Sequence, residues 1–230
     1  MQKNYLIVGG SSGIGLALAT QLQQDQQNVW VASRNAPALD VSHINLDVTQ
    51  PIGNAFDALP DALHGIAYCA GTINLKPFQR FTEEEILQDF QVNVMGAVRT
   101  LQALFPRLRK EGASVVLFST VAVTLGMNFH SSIAISKSGV EGLAKSLAAE
   151  WATYQIRVNA IAPSLTDTPL ASKILSSDEK RESSGKRHPL GRVGKAEEIA
   201  EVAHFLLSDK TTWLTGQIIG VDGGMGALKP

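Results

Sequence analysis

Short apolar runs recur along the chain, and most are followed by a longer segment whose apolar residues fall three or four apart. Seven stretches predict strands: Tyr5-Leu6-Ile7-Val8, Val29-Trp30-Val31-Ala32, Ile44-Asn45-Leu46, Ile66-Ala67-Tyr68-Cys69, Ser114 to Ser119, Arg157 to Ile161, and Gln217 to Val221. Runs this short and this continuously apolar suit strands buried on both faces. Helical spacing appears in Ile14, Leu18 and Leu22 and in Ile199, Val202 and Leu206. It also appears in one long helix starting at Thr82 and running through Phe90, Val94, Val98 and Leu101, and in another from about Ser132 to Trp151. Thr82 is suited to cap its helix, with Glu83, Glu84 and Glu85 favourable in the first turn. Strand and helix alternate throughout, which predicts an α/β fold with a parallel seven-stranded sheet and helices on both faces. A polar stretch from Ser164 to about Lys195 interrupts the rhythm. Only twelve residues, Pro37 among them, separate Arg34 from Asp47. A crossover that short leaves room for a stub of helix or none.

Composition narrows the class. Hydrophobic residues make up 44% of the 230 and charged residues 18%, so a large core is expected and disorder is not. No repeat or linker divides the chain, and residues 1–230 are expected to form one domain. A net charge of −1, with no basic block, argues against a nucleic-acid surface. The single Cys69 rules out an intrachain disulfide and a cysteine zinc site, and no metal is expected. No apolar stretch approaches the ~20 residues of a membrane helix, and the first apolar run is too short for a signal peptide. The expectation is a soluble cytoplasmic protein.

The first strand runs directly into Gly9-Gly10-Ser11-Ser12-Gly13-Ile14-Gly15 and a helix. Strand, glycine turn and helix form a phosphate cradle: glycines admit close backbone approach, and the helix N-terminus offers free N–H groups and a positive dipole end. The spacing is GxxxGxG, not the commoner GxGxxG.

With that turn, the chain resembles the short-chain dehydrogenase/reductase family along its whole length. The matching pieces are Gly9 to Gly15, Asp47-Val48, Ala70-Gly71, Asn93-Val94-Met95-Gly96, Lys137, Asn159 to Pro163, Thr215-Gly216-Gln217 and Val221-Asp222-Gly223-Gly224. The resemblance implies a single doubly wound Rossmann domain, 1–230, with a substrate-side lid over about 164–195. It implies hydride transfer between a nicotinamide dinucleotide and a carbonyl or alcohol of a small-molecule substrate. It places the pyrophosphate over Gly9, Ser11, Ser12, Gly13 and Ile14, the adenine between Asp47 and Val48, and the adenosine ribose over Ala70 and Gly71. Pro163 and the residues from Ser164 to Thr168, Thr166 among them, border the nicotinamide. The apolar faces around Val94–Leu104 and Leu143–Leu147 resemble the family's dimer helices, and Ile218 to Met225 a second interface, so a homo-oligomer, dimer or tetramer, is expected.

Two positions carry specific chemistry. The second strand ends in Ser33-Arg34, where an NAD site would place a carboxylate. A guanidinium and a hydroxyl suit a 2′-phosphate, so NADP(H) is preferred over NAD(H). The family's catalytic set is Ser, Tyr and Lys, with an Asn upstream. Here Lys137 and Asn93 are in register, and the Ser position falls on Thr120, with Ser119 as fallback. Four residues before Lys137 stands Ile133, where the family has Tyr, and Ile has no proton to give. A general acid contributes ~10²–10⁴-fold, so the proton donor must be rebuilt or the chain is silent. His130, Tyr68 and a water near Asn93 and Lys137 are the replacements the sequence offers, while Ser131 and Ser132 are expected to cap the helix. The main reading is thus an NADP(H)-dependent oxidoreductase with an altered proton donor. The alternatives are a catalytically silent nucleotide-binding sensor or partner subunit, and a non-redox enzyme that keeps the cofactor for structure.

Overall fold

The computed structural model describes residues 2–228. In chain order the elements are β1 (Asn4–Val8), α1 (Gly13–Gln24), β2 (Asn28–Ser33), β3 (Ser42–Asn45), β4 (Gly65–Tyr68), α2 (Glu83–Phe90), a π turn (Gln91–Met95), α3 (Gly96–Leu108), β5 (Ala113–Phe118) and α4 (Ser131–Trp151). They continue with β6 (Ile156–Pro163), β7 (Thr166–Asp167), α5 (Asp178–Gly185), β8 (Gly194–Lys195), α6 (Ala196–Leu207) and β9 (Ile218–Val221).

Seven strands form one parallel sheet in the order β3-β2-β1-β4-β5-β6-β9. The fold is a single α/β Rossmann-like domain. Side chains alternate across the sheet and feed two cores. Leu6, Val8, Val115 and Leu117 face α3 and α4, meeting Leu101, Leu104, Val140 and Ala144. Tyr5, Ile7, Val116 and Phe118 face α1 and α6, meeting Leu18, Leu22, Ile199 and Leu206. Fully burying one such side chain stabilises by about 1.5–3 kcal/mol, which is why the apolar runs were readable as strands. No helix lies between β2 and β3, as the short connection requires. Among the described residues no helix is long and apolar enough to cross a membrane.

Two local expectations are corrected. The long helix from Thr82 is not continuous: after α2 the backbone widens into the π turn before α3 resumes. Its start is as expected, with Thr82 Oγ1 accepting from Glu85 N and the Glu85 carboxylate accepting from Thr82 N. Ser131 and Ser132 do not cap α4; His130 occupies the cap position without a side-chain bond, and the Ser132 hydroxyl turns inward to Asp89. The stretch from Ser164 to Lys195 is polar but not structureless. It holds α5 and a small parallel pair in which β7 Thr166 and Asp167 face β8 Gly194 and Lys195.

Candidate active site

The strand order reverses between β1 and β4, and a crevice opens there at the carboxyl ends of the strands. The turn after β1 and the segment after β4 form its walls. At Gly9 the backbone has φ +80° and a Cβ would lie 2.5 Å from Ala70 N; at Gly15 a Cβ would lie 2.4 Å from Gly9 O. Only glycine permits this close approach of turn, helix and neighbouring strand. Ser12 precedes α1 without a side-chain capping bond, leaving the first N–H groups of the helix directed at the crevice.

The resulting cleft has a volume of about 420 Å³. Gly9, Ser11, Ser12, Gly13, Ile14, Ser33, Arg34, Asp47, Val48, Ala70 and Gly71 all line it. The Asp47 carboxylate accepts from Thr49 N and Thr49 Oγ1, at 2.9 and 2.7 Å, and these bonds hold its pKa below the usual carboxylate range. Arg34 lies exposed on the rim and has no ion-pair partner among the described residues. The Ser33 hydroxyl donates to Asn35 O at 2.8 Å and lies 3.3 Å from His43 Nε2.

A second cavity of about 170 Å³ adjoins the first. Its walls are mainly apolar, with Ile73, Leu75, Phe118, Ile133, Leu165 and Ile174 among them, and they include Thr120, His130, Lys137, Pro163, Ser164, Thr166 and Thr168. Ile14, Cys69, Gly71, Thr72, Thr168 and Leu170 border both spaces and mark their junction.

Lys137 and Ile133 lie one helical turn apart on α4, both buried. Lys137 Nζ donates to Phe118 O at 2.8 Å. Burial pulls its pKa down to about 8, with Cys69 and Asp89 opposing the shift. Thr120 ends the β5 segment in an extended conformation, and its Oγ1 accepts from Ala122 N at 3.3 Å. Ser119 also borders this cavity, but its hydroxyl donates to Glu141 at 2.6 Å. His130 Nδ1 donates to Asn128 O at 2.7 Å, which leaves Nε2 as the free ring nitrogen. Tyr68 cannot serve as an acid. It is buried, its hydroxyl donates to Val92 O at 2.6 Å, and desolvation pushes its pKa above the ordinary value.

Asn93 borders neither cavity. It sits fully buried in the π turn, donating through Nδ2 to Thr72 Oγ1 and to Asp89 O, both at 2.8 Å. Because a carbonyl only accepts, those bonds fix the amide orientation and leave Asn93 Oδ1 without a partner. A Cβ on Gly71 would lie 3.0 Å from that oxygen and 3.5 Å from Lys137 Nζ, so the bare backbone of Gly71 keeps the space between them open.

Sequence reasoning missed three residues. Thr72 stands at the junction, Asp89 lies behind it, and His188 is buried in the 164–195 segment with Ser164 Oγ 2.8 Å from its Nε2 and Ser184 O 2.9 Å from its Nδ1. The one available signal was Asp89 itself, an acid four residues before Asn93 on the apolar side of a helix.

Comparison with known proteins adds relatives to this geometry. The family described as Enoyl-(Acyl carrier protein) reductase matches residues 8–226. The 3-oxoacyl-[acyl-carrier-protein] reductase FabG of Thermotoga maritima is 40% identical over 246 residues, covering 97% of each chain. A short chain dehydrogenase family protein from Francisella tularensis superposes with a TM-score of 0.92 at 32% identity, covering 99% of this chain and 100% of the other. The ligand-free aldohexose dehydrogenase of Thermoplasma acidophilum does so with a TM-score of 0.92 at 29% identity, covering 100% and 96%.

Proposed function

Because the chain belongs to the short-chain dehydrogenase/reductase family, whose members bind nicotinamide cofactors, we propose that it is an NADP(H)-dependent oxidoreductase acting on a small, largely apolar carbonyl or alcohol. The observation that carries this reading is the junction of the two cavities: a glycine-walled nucleotide cleft opens directly onto an apolar space bordered by Lys137. The residues fit the dinucleotide. The glycine cradle would be filled by any Cβ, and the uncapped end of α1 offers backbone donors to a pyrophosphate. Arg34 would meet a 2′-phosphate by charge-assisted hydrogen bonds, and no carboxylate stands beside it at the end of β2 to favour NAD(H). When bound, the nicotinamide supplies the hydride donor or acceptor.

The protein's own residues do the rest. Lys137 Nζ spends one N–H on Phe118 O and keeps two for ribose hydroxyls. Thr120 presents a hydroxyl to the substrate oxygen. The apolar walls exclude water from the reacting atoms. Ile133 is read as occupying the family's Tyr position, so the proton donor is not a phenol. FabG acts on a 3-oxoacyl group, and a ketone of that kind belongs among the first candidate substrates.

The test is a fluorescence titration with NADPH and NADH on wild type and Arg34→Ala. NADPH binding that weakens about tenfold or more in the variant, with NADH binding unchanged, supports the reading, since a hydrogen bond to a charged group is worth about 1.5–3 kcal/mol. Binding of neither nucleotide overturns it.

A further inference from the structure

Asp89 is the only carboxylate fully buried among the described residues. It has no basic side chain in direct contact. Three donors satisfy it instead: Thr72 Oγ1 at 2.6 Å and Asn74 Nδ2 at 2.7 Å on Oδ1, and Ser132 Oγ at 2.5 Å on Oδ2. Burying an ion is costly, and three hydrogen bonds to the carboxylate offset that cost. The Asp89 charge acts on Lys137 across the site. Such an arrangement is more than packing needs, since an apolar side chain would fill the same space without three partners.

One of the three donors reaches the active site. Thr72 borders both cavities, at the point where cofactor and substrate would meet. The other hydroxyl at that junction, Thr168, leans on the Thr166 carbonyl at 3.4 Å. Thr72 is wired to an acid. A carboxylate only accepts, so the Thr72 proton lies toward Asp89. Asn93 Nδ2 occupies one lone pair of Thr72 Oγ1. The remaining lone pair can accept a proton and cannot give one until Asp89 returns it.

The geometry points to Thr72 and Asp89 as a proton relay that takes the hydroxyl proton of an alcohol substrate during its oxidation. This rests on the oxidoreductase reading above. The carbinol C–H breaks and its hydride goes to the oxidised nicotinamide dinucleotide. The O–H bond breaks as C=O forms. That proton bonds to Thr72 Oγ1, and the proton Thr72 held moves to Asp89 Oδ1, leaving a neutral carboxylic acid. Reduction of a ketone runs the same path backward, with Asp89 as the proton source. Thr72 is the catalytic group, and Asp89 acts through it. Asn93 and Ser132 position the two, and Ile133, the residue after Ser132, leaves the path free of a competing phenol.

The experiment uses the full chain with NADP⁺ and a panel of secondary alcohols, on wild type, Thr72→Val, Thr72→Ser, Asp89→Asn and the Thr72→Val/Asp89→Asn double variant. NADPH binding is measured on each as a check on the fold. The relay predicts that Thr72→Val and Asp89→Asn each lower kcat by about 10²–10⁴-fold at unchanged NADPH affinity. The double variant falls no further than either single one, because the two act as a unit. Thr72→Ser keeps turnover within a few-fold. A single-turnover infrared difference spectrum shows a protonated carboxyl band in wild type that Asp89→Asn lacks. Wild-type turnover that survives Asp89→Asn or Thr72→Val, effects that multiply, or no carboxyl band overturns the relay and leaves the oxidoreductase reading standing. Should Asp89→Asn fail to bind NADPH, the Thr72→Val and Thr72→Ser pair with the wild-type spectrum decides alone. A wild type that binds NADPH yet oxidises no alcohol and reduces no ketone overturns both.

Discussion

Lys137 loses its proton more easily folded than unfolded, and that difference has a measurable sign. Its folded pKa of about 8 lies below the ordinary 10.5 because burial disfavours the ammonium. Between those values the unfolded chain binds more protons, so this group makes stability rise as pH climbs from about 8 to about 10.5. The increment is at most roughly 3 kcal/mol. Urea unfolding of wild type and Lys137→Met across that range isolates it: the wild-type rise should be absent from the variant, and parallel curves would refute it. Gly71 is a second residue-scale case. Adding a Cβ there crowds Asn93 Oδ1 at 3.0 Å, so Gly71→Ala is expected to weaken NADPH binding several-fold while changing the melting temperature little. A fluorescence titration beside a thermal melt checks both. At this scale the sequence was half legible. Lys137, Thr120 and the glycines stand in a recognisable order. Asp89 does not, because its partners Thr72, Asn74 and Ser132 come from segments up to 43 residues away, and only the fold turns a solvated-looking acid into a buried one.

The α2–π–α3 segment shows what single elements depend on. Thr82 closes a reciprocal capping box with Glu85, so Thr82→Ala should cost about 1 kcal/mol in denaturant unfolding, with binding unaffected. The π turn at Gln91–Met95 was not readable from periodicity, since one widened turn barely disturbs the spacing of Phe90, Val94, Val98 and Leu101. Its cause is tertiary. Val92 O accepts from the Tyr68 hydroxyl, and Arg99 reaches back to Gln91 O and Val48 O. Gly96 closes the turn where a Cβ would sit 2.1 Å from Tyr68 Oη. Gly96→Ala must therefore displace that hydroxyl, and a loss of about 1–3 kcal/mol is expected, larger than helix propensity alone would allow. A variant as stable as wild type would show that the turn does not need this contact. The strands were the most legible elements, because each is an unbroken apolar run with two faces to bury.

Across the whole molecule, the 164–195 segment was the least legible region, a run of charges pinned in part by one buried imidazole. His188 joins Ser184 of α5 to Ser164 at the end of β6, and Gly223 packs beside it. Removing the ring takes one hydrogen bond from the half-buried Ser164 hydroxyl, which keeps Asp222 O, and one from the Ser184 carbonyl, which keeps Arg187 N, at about 0.5–1.5 kcal/mol each. In His188→Ala, trypsin is expected to cut at Lys180 and Arg181 several times faster than in wild type, and equal cleavage rates would refute the pin. At the opposite edge of the sheet, the chain leaves out the helix that would wall the crevice between β2 and β3. With the cofactor seated as proposed, no helix among the described residues would stand over the outer edge of its adenine ring. A cofactor analogue carrying a spacer on that edge, fixed to a bead or to a dye, should seat as the plain nucleotide does, so the protein could be harvested on an immobilised cofactor and released by free NADPH.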